Sequence, residues 1–131
     1  MILLDTHVWV RWLDPDVKPL PRGMIDRIET AGQLAVSAIS CWEVAWLLRR
    51  GRLDLTLPLE QWTDWALAES GVVCLPVQRE IAMRAANLPE HHRDPADRMI
   101  IATALHHSIQ LASLDGSFPA YQEVAAYLIN S

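Results

Sequence analysis

The feature that most constrains this chain is a set of four short apolar runs, Met1–Leu4, Leu34–Val36, Val72–Leu75 and Ile109–Ser113, separated by segments with helical periodicity. Runs of three to five apolar residues are too short for core helices and suit strands buried on both faces. Between them, His7–Leu13, Arg22–Ala31, Ile39–Arg50, Leu59–Ala68, Arg79–Ala86 and Pro95–His107 carry apolar side chains at helical spacing, with Gly32, Gly51, Gly71 and Asn87-Leu88-Pro89 as stops. Strands alternating with helices predict an α/β fold with a parallel sheet covered on both faces. Tyr121–Ile129 has no period that types it.

At 131 residues the chain has the length of one domain, and 1–131 is read as a single domain without internal repeats. Hydrophobic residues at 51% and charged residues at 21% exclude a disordered chain. No apolar run reaches the roughly 20 residues of a membrane helix. The start, MILLDTHVW, lacks a basic segment and a cleavage site, so a cytoplasmic protein is expected. Cys41 and Cys74 both fall in apolar runs and read as buried thiols; two cysteines make no disulfide framework, and no spacing suggests zinc.

In a parallel sheet ligands bind beyond the carboxyl ends of the strands. Asp5 ends the first apolar run and Asp115 follows the fourth, while Glu43 lies in the first turn of the helix after the second. Asp94 and Asp97 open the helix that feeds the fourth. Right-handed connections bring all these ends to one sheet edge. Several of the acids have simpler readings. Ser40-Cys41-Trp42-Glu43 fits a capping box, Asp94-Pro95-Ala96-Asp97 fits a helix start, and Asp115-Gly116 fits a turn. Asp5 is the exception, because a carboxylate placed directly after four apolar residues is costly unless paired or bound to a cation. Together the acids would raise one another's pKa or share a divalent cation, and carboxylate oxygens favour Mg²⁺ or Mn²⁺ over zinc. Such an ion assists displacement at phosphorus. No Gly-rich phosphate loop is present. A phosphoacceptor receiver is disfavoured, since the first strand end lacks an acidic pair and Lys18 is the only lysine.

The net charge of −5 argues against a nucleic-acid binder, but five acids gathered at one metal leave the remainder formally neutral. Ten of the eleven basic residues are arginine, which contacts phosphate through a fork.

In order along the chain, LLDTHVWV, SAISCWEVAWL, DPADRMIIATA and LASLDGSF resemble the PIN-domain family, and more narrowly the VapC-type toxins of bacterial toxin–antitoxin pairs. The motifs run from Asp5 to Asp115, essentially the whole chain. The resemblance implies a three-layer α/β/α sandwich with a short, mostly parallel sheet of four to five strands. It implies a Mg²⁺-dependent endoribonuclease, Mn²⁺ substituting, that leaves a 5′-phosphate and a 3′-hydroxyl. A homodimer and a cognate, neutralising antitoxin are implied as well. The acidic pocket would be Asp5, Glu43, Asp115 and an aspartate of DPADR. Alignment on IIATA favours Asp97, with Asp94 either joining the site or only capping. Asp5, Asp97 and Asp115 would hold the metal, and Glu43 would position or deprotonate the attacking water. Thr6 and Ser113 stand where relatives carry hydroxyls beside the acids, and each reads equally as a local cap. A DNA nuclease and a non-catalytic, partner-binding PIN-like module are the rival readings.

His91-His92 and His106-His107 lack ligand spacing and are expected at the surface. Arg49, Arg50 and Arg52 cluster at a helix end, where they complement the macrodipole or contact RNA or a partner. The pairs Trp9/Trp12 and Trp42/Trp46 either pack in the core or border an apolar groove for an antitoxin segment whose arginine reaches the acids.

Overall fold

In a computed structural model, residues 1–16 and 18–131 are described. Five strands form one sheet: β1 (Ile2–Leu4), β2 (Leu34–Ser37), β3 (Val72–Leu75), β4 (Gln110–Ala112) and β5 (Leu128–Ile129). Their order is β3-β2-β1-β4-β5, and every adjacent pair is parallel. The helices are α1 (Thr6–Leu13), α2 (Arg22–Glu29), α3 (Ala38–Arg49), α4 (Leu59–Asp64), α5 (Arg79–Ala86), α6 (Pro95–His107) and α7 (Gln122–Ala125).

Alternation along the strands divides the core in two. Ile2, Leu4, Leu34, Val36, Val72 and Ala112 face α1 to α4, where Val8, Trp9, Met24, Ile28, Val44 and Trp62 meet them. Leu3, Ala35 and Leu111 face α5 to α7, against Ile81, Ala85, Ile100, Ile101, Phe118 and Val124. With both sheet faces buried, the strands show no polar alternation, as expected of a parallel sheet. The result is the three-layer α/β/α sandwich.

The structure departs from four local expectations. The segment expected as one helix over Leu59–Ala68 is α4 followed by a π-helical turn, Trp65–Glu69. The Ala66 carbonyl in that turn accepts from the buried Trp9 indole N–H at 3.1 Å, which satisfies a donor that has no water to turn to. α2 ends at Glu29, with Thr30 as its C-cap, before Gly32. The untyped end Tyr121–Ile129 holds α7 and the short β5. Cys41 is half-buried as a helix residue, but Cys74 is exposed because β3 is an edge strand.

Chain direction sets the site. From β1 the chain moves outward to β2 and β3, then returns to the other side of β1 as β4. The order therefore reverses between β1 and β4, and the crevice beyond their carboxyl ends is where open α/β sheets bind ligands. Asp5 N–H donates to the Ala112 carbonyl at 3.0 Å, fixing the two strand ends side by side.

Candidate functional site

Asp5 follows β1 directly and is the N-cap of α1. It is only 2% exposed, and both its oxygens are engaged. Oδ1 accepts from Thr6 N–H at 2.8 Å, and Oδ2 accepts from the Ser113 hydroxyl at 2.6 Å. His7 Nδ1 lies 3.4 Å from the same Oδ2. Because His7 Nε2 accepts the Leu114 N–H at 3.0 Å, the ring proton sits on Nδ1, facing Asp5. Burial raises the Asp5 pKa against the lowering effects of His7, Ser113 and Thr6.

Glu43 lies on α3, whose N-cap is Ser37, its hydroxyl accepting from Ile39 N–H at 3.2 Å. The capping box expected at Ser40–Glu43 is therefore absent: the helix starts earlier, and Ser40 and Glu43 turn inward to Thr6. The Thr6 hydroxyl donates to Glu43 Oε1 at 2.6 Å and lies 2.8 Å from Ser40 Oγ. Thus Thr6 and Ser113, read equally well as local caps, each hold a carboxylate. Burial raises the Glu43 pKa, Thr6 lowers it, and Asp5 and Asp94 raise it further.

Asp94 caps α6 through Oδ1, which accepts from Ala96 N–H at 2.9 Å, with Pro95 at the first helical turn. Asp97, one turn in, is the centre of the arrangement. Carboxylate oxygens of Glu43, Asp94 and Asp97 lie within 4.8 Å of one another, and so do ligand atoms of His92, Asp97 and Asp115. Burial, and after it the charges of Asp5, Asp94, Glu43 and Asp115, together push the Asp97 pKa from 3.8 up to about 8. Asp115 differs. Burial raises its pKa, but the Ser117 hydroxyl at 2.7 Å, the Ser117 N–H at 2.9 Å and His92 outweigh that, and the net shift is downward.

His92, expected at the surface, is instead in the site: its Nε2 lies 2.9 Å from Asp97 Oδ2 and 3.1 Å from Asp115 Oδ2. Nδ1 accepts the Asp94 N–H at 3.2 Å, so the ring proton is on Nε2, directed at both acids. Metal-ligand spacing could not reveal this role, because His92 bonds carboxylates rather than matching a ligand pattern. Its loop is held by Arg98. The guanidinium donates to the carbonyls of Ala85, Ala86, Leu88, Pro89 and His92 at 2.7–3.2 Å, capping α5 and closing the turn. His91, by contrast, is exposed and packs edge-on to Tyr121. His106 and His107 are exposed at the end of α6.

The tryptophans divide. Trp9 is buried against Trp62, ring centroids 5.0 Å apart, so it cannot border a groove. Trp42 and Trp46 are exposed. Arg49, Arg50 and Arg52 are exposed around the Schellman end of α3, where Gly51 at φ 68° lets Arg52 N–H reach the Leu47 carbonyl at 2.9 Å.

The donor set fits a hard divalent cation. Oxygens of several carboxylates converge, burial together with the neighbouring charges pushes one of them toward protonation, and among the described residues no cysteine joins either cluster. Asp5, though hydrogen-bonded at both oxygens, retains lone pairs for such an ion.

The PIN domain family matches residues 2–124. Ribonuclease VapC22 of Mycobacterium tuberculosis is 38% identical over 115 residues, covering 87% of this chain and 86% of that protein. Among solved structures, a toxin–antitoxin complex from Klebsiella pneumoniae aligns over 98% of this chain and 96% of that one, with TM-score 0.66 and 22% identity. VapBC2 from Rickettsia felis, bound to a promoter DNA fragment, aligns over 98% of each chain with TM-score 0.69 and 13% identity. VapC20 of Mycobacterium tuberculosis, described as a Sarcin-Ricin loop cleaving toxin, aligns over 100% and 98% with TM-score 0.64 and 16% identity. Among the described residues no helix is long and apolar enough to cross a membrane.

Proposed function

Since the chain belongs to the PIN-domain family and to its VapC-type branch, we propose that it is a Mg²⁺-dependent endoribonuclease, the toxin of a VapBC-type toxin–antitoxin pair. The observation that carries this reading is the meeting of Glu43, Asp94 and Asp97, and of His92, Asp97 and Asp115, at the switch point of the sheet, where the charge of the buried Asp5 also acts on Asp97 and Asp97 is held toward protonation. The names of similar proteins support it: one is called a ribonuclease, another a Sarcin-Ricin loop cleaving toxin.

Asp5, Asp97 and Asp115 would hold Mg²⁺, or Mn²⁺ in its place, with Asp94 adjacent and partly committed to its cap. When bound, such an ion supplies the positive charge that offsets the clustered acids, activates water and stabilises charge developing at phosphorus. The protein's own groups do the rest. Thr6 orients Glu43 by donating to Oε1, and burial raises the Glu43 pKa, which suits it to take a proton from an attacking water. Ser113 and His7 fix Asp5, and His92 holds Asp97 and Asp115 together by its Nε2–H. Cleavage would leave a 5′-phosphate and a 3′-hydroxyl. The cytoplasmic protein would act as a homodimer and be neutralised by its cognate antitoxin covering the acids.

The test is cleavage of a panel of structured RNAs by the purified protein in Mg²⁺ and in EDTA, beside Asp97→Asn. Cleavage with Mg²⁺ that is lost in EDTA and in the variant is expected. Equal cleavage by parent and variant would sink the site assignment, and cleavage of DNA in preference to RNA would sink the substrate.

A further inference from the structure

On α3 the side chains form two rows at helical i, i+4 spacing. Ile39, Glu43 and Leu47 make one, and they line a groove with Asp94, Pro95 and Ala96 across from them. Trp42, Trp46 and Arg50 make the other. Trp42 and Trp46 are stacked, centroids 5.6 Å apart and planes 11° from parallel, and the Arg50 guanidinium lies 4.5 Å from the Trp46 ring centre. Trp46 is thus flanked one turn earlier by an indole and one turn later by a cation. Trp42, 53% exposed, has the more open ring. Leaving a stacked indole pair in water forfeits the burial that the other large aromatics of this chain obtain.

The same groove, roughly 700 Å³, is lined by Arg52 and Arg93 as well as by Glu43 and Asp94. Among the described residues no acid lies within ion-pair distance of Arg50, Arg52 or Arg93. In a chain of net charge −5, three exposed arginines beside an acidic centre form a local cationic rim. We propose that the Trp42–Trp46 stack is a binding subsite for an unpaired nucleobase next to the scissile phosphate, with Arg52 and Arg93 contacting the neighbouring backbone phosphates. The inference rests on the ribonuclease reading and deepens it. Glu43 lines the same groove as Trp42 and Trp46, so a strand whose phosphate lies at Glu43 has the indole pair beside it. Indole faces accept any base, and guanidinium forks accept phosphate, so the row matches both parts of a nucleotide. A helical protein ligand would instead call for a continuous apolar strip, which Arg52, Arg93, Glu43 and Asp94 interrupt.

The experiment measures binding of short unstructured oligoribonucleotides to the Asp97→Asn protein by fluorescence anisotropy, with Trp42→Ala, Trp46→Ala and Trp42→Phe added singly. Trp42→Ala should weaken binding by about tenfold or more, whereas Trp42→Phe stays within about threefold. Replacing one nucleotide of the oligomer by an abasic residue should reproduce the loss, and combining it with Trp42→Ala should add nothing. Arg52→Ala and Arg93→Ala should each make the dependence of log K on log salt shallower by about 0.7. Mn²⁺ affinity by calorimetry, measured on the Asp97-containing protein with each tryptophan variant, should not move, which separates a subsite from damage to the acidic centre. Unchanged RNA affinity in both alanine variants overturns the subsite. So does a loss confined to self-association or antitoxin binding with RNA affinity intact, which would assign the row to a protein partner. If the parent protein neither binds nor cleaves RNA, the ribonuclease reading itself falls, a result distinct from both.

Discussion

Asp97→Asn should make the metal-free protein more stable, and increasingly so as pH rises. Burial and four neighbouring carboxylates hold the Asp97 pKa at about 8, against 3.8 in the unfolded chain. Below pH 3.8 both states carry the proton and the group contributes nothing. Between 3.8 and about 8 the unfolded chain releases a proton that the native state retains, so stability falls as pH rises. At about 1.36 kcal/mol per unit, the loss accumulated by pH 7 has a ceiling of about 4 kcal/mol. The exposed side of the pocket lets water screen part of this, so about 1–3 kcal/mol is expected. Asparagine keeps the shape and removes the charge. The assay is urea denaturation in EDTA from pH 5.5 to 8.5, for parent and variant. The parent should lose stability across that range while the variant loses less, the gap at pH 8 corresponding to roughly 3–5 °C in Tm per kcal/mol. Saturating Mn²⁺ should restore the parent by RT ln(1 + [L]/Kd), about 2.7 kcal/mol at a hundredfold excess, and restore the variant far less. A parent as stable at pH 8 as at pH 5.5 in EDTA, or a variant with the same slope, would refute the electrostatic account of this site.

Three further outcomes follow from particular contacts. Asp94→Ala should cost about 0.5–2 kcal/mol in denaturation, because it removes the α6 cap, while Asp94→Asn should retain most of the stability. Arg98→Lys should destabilise by about 2–3 kcal/mol and speed amide exchange over Ala86–His92, since one ammonium cannot replace five donors to five carbonyls. His92→Ala should raise the Asp115 pKa, read by carboxyl NMR titration, and lower cleavage or Mn²⁺ affinity about 10–100-fold, with partial recovery in His92→Gln.

Much of the fold was legible along the chain. Four strands and α5 and α6 lie where apolar runs and helical periods place them, because fully buried parallel strands need apolar residues at every position and amphipathic helices need one apolar stripe. Asp5 was legible for a related reason: a carboxylate joined to an apolar strand must have a partner. Helix starts were less so. Ser40-Cys41-Trp42-Glu43 has the letters of a capping box, but a cap depends on where the preceding strand releases the backbone, and β2 runs to Ser37.

Sequence by itself determined which residue types stand at the ends of strands and helices, and so that carboxylates gather at one edge of a parallel sheet. Only the tertiary structure decided how they share that edge. Ser113 lies 108 residues from the Asp5 it holds, and Thr6 lies 37 residues from Glu43. His92 meets Asp115 across 23 residues through a loop that Arg98 shapes. Trp9 and Trp42 share a composition and a helical context, yet one is enclosed by α4 and its π turn while the other faces outward. Periodicity is a local property of a segment, whereas burial, proton affinity and contact depend on which other segments arrive at the same place, and strand order fixes that.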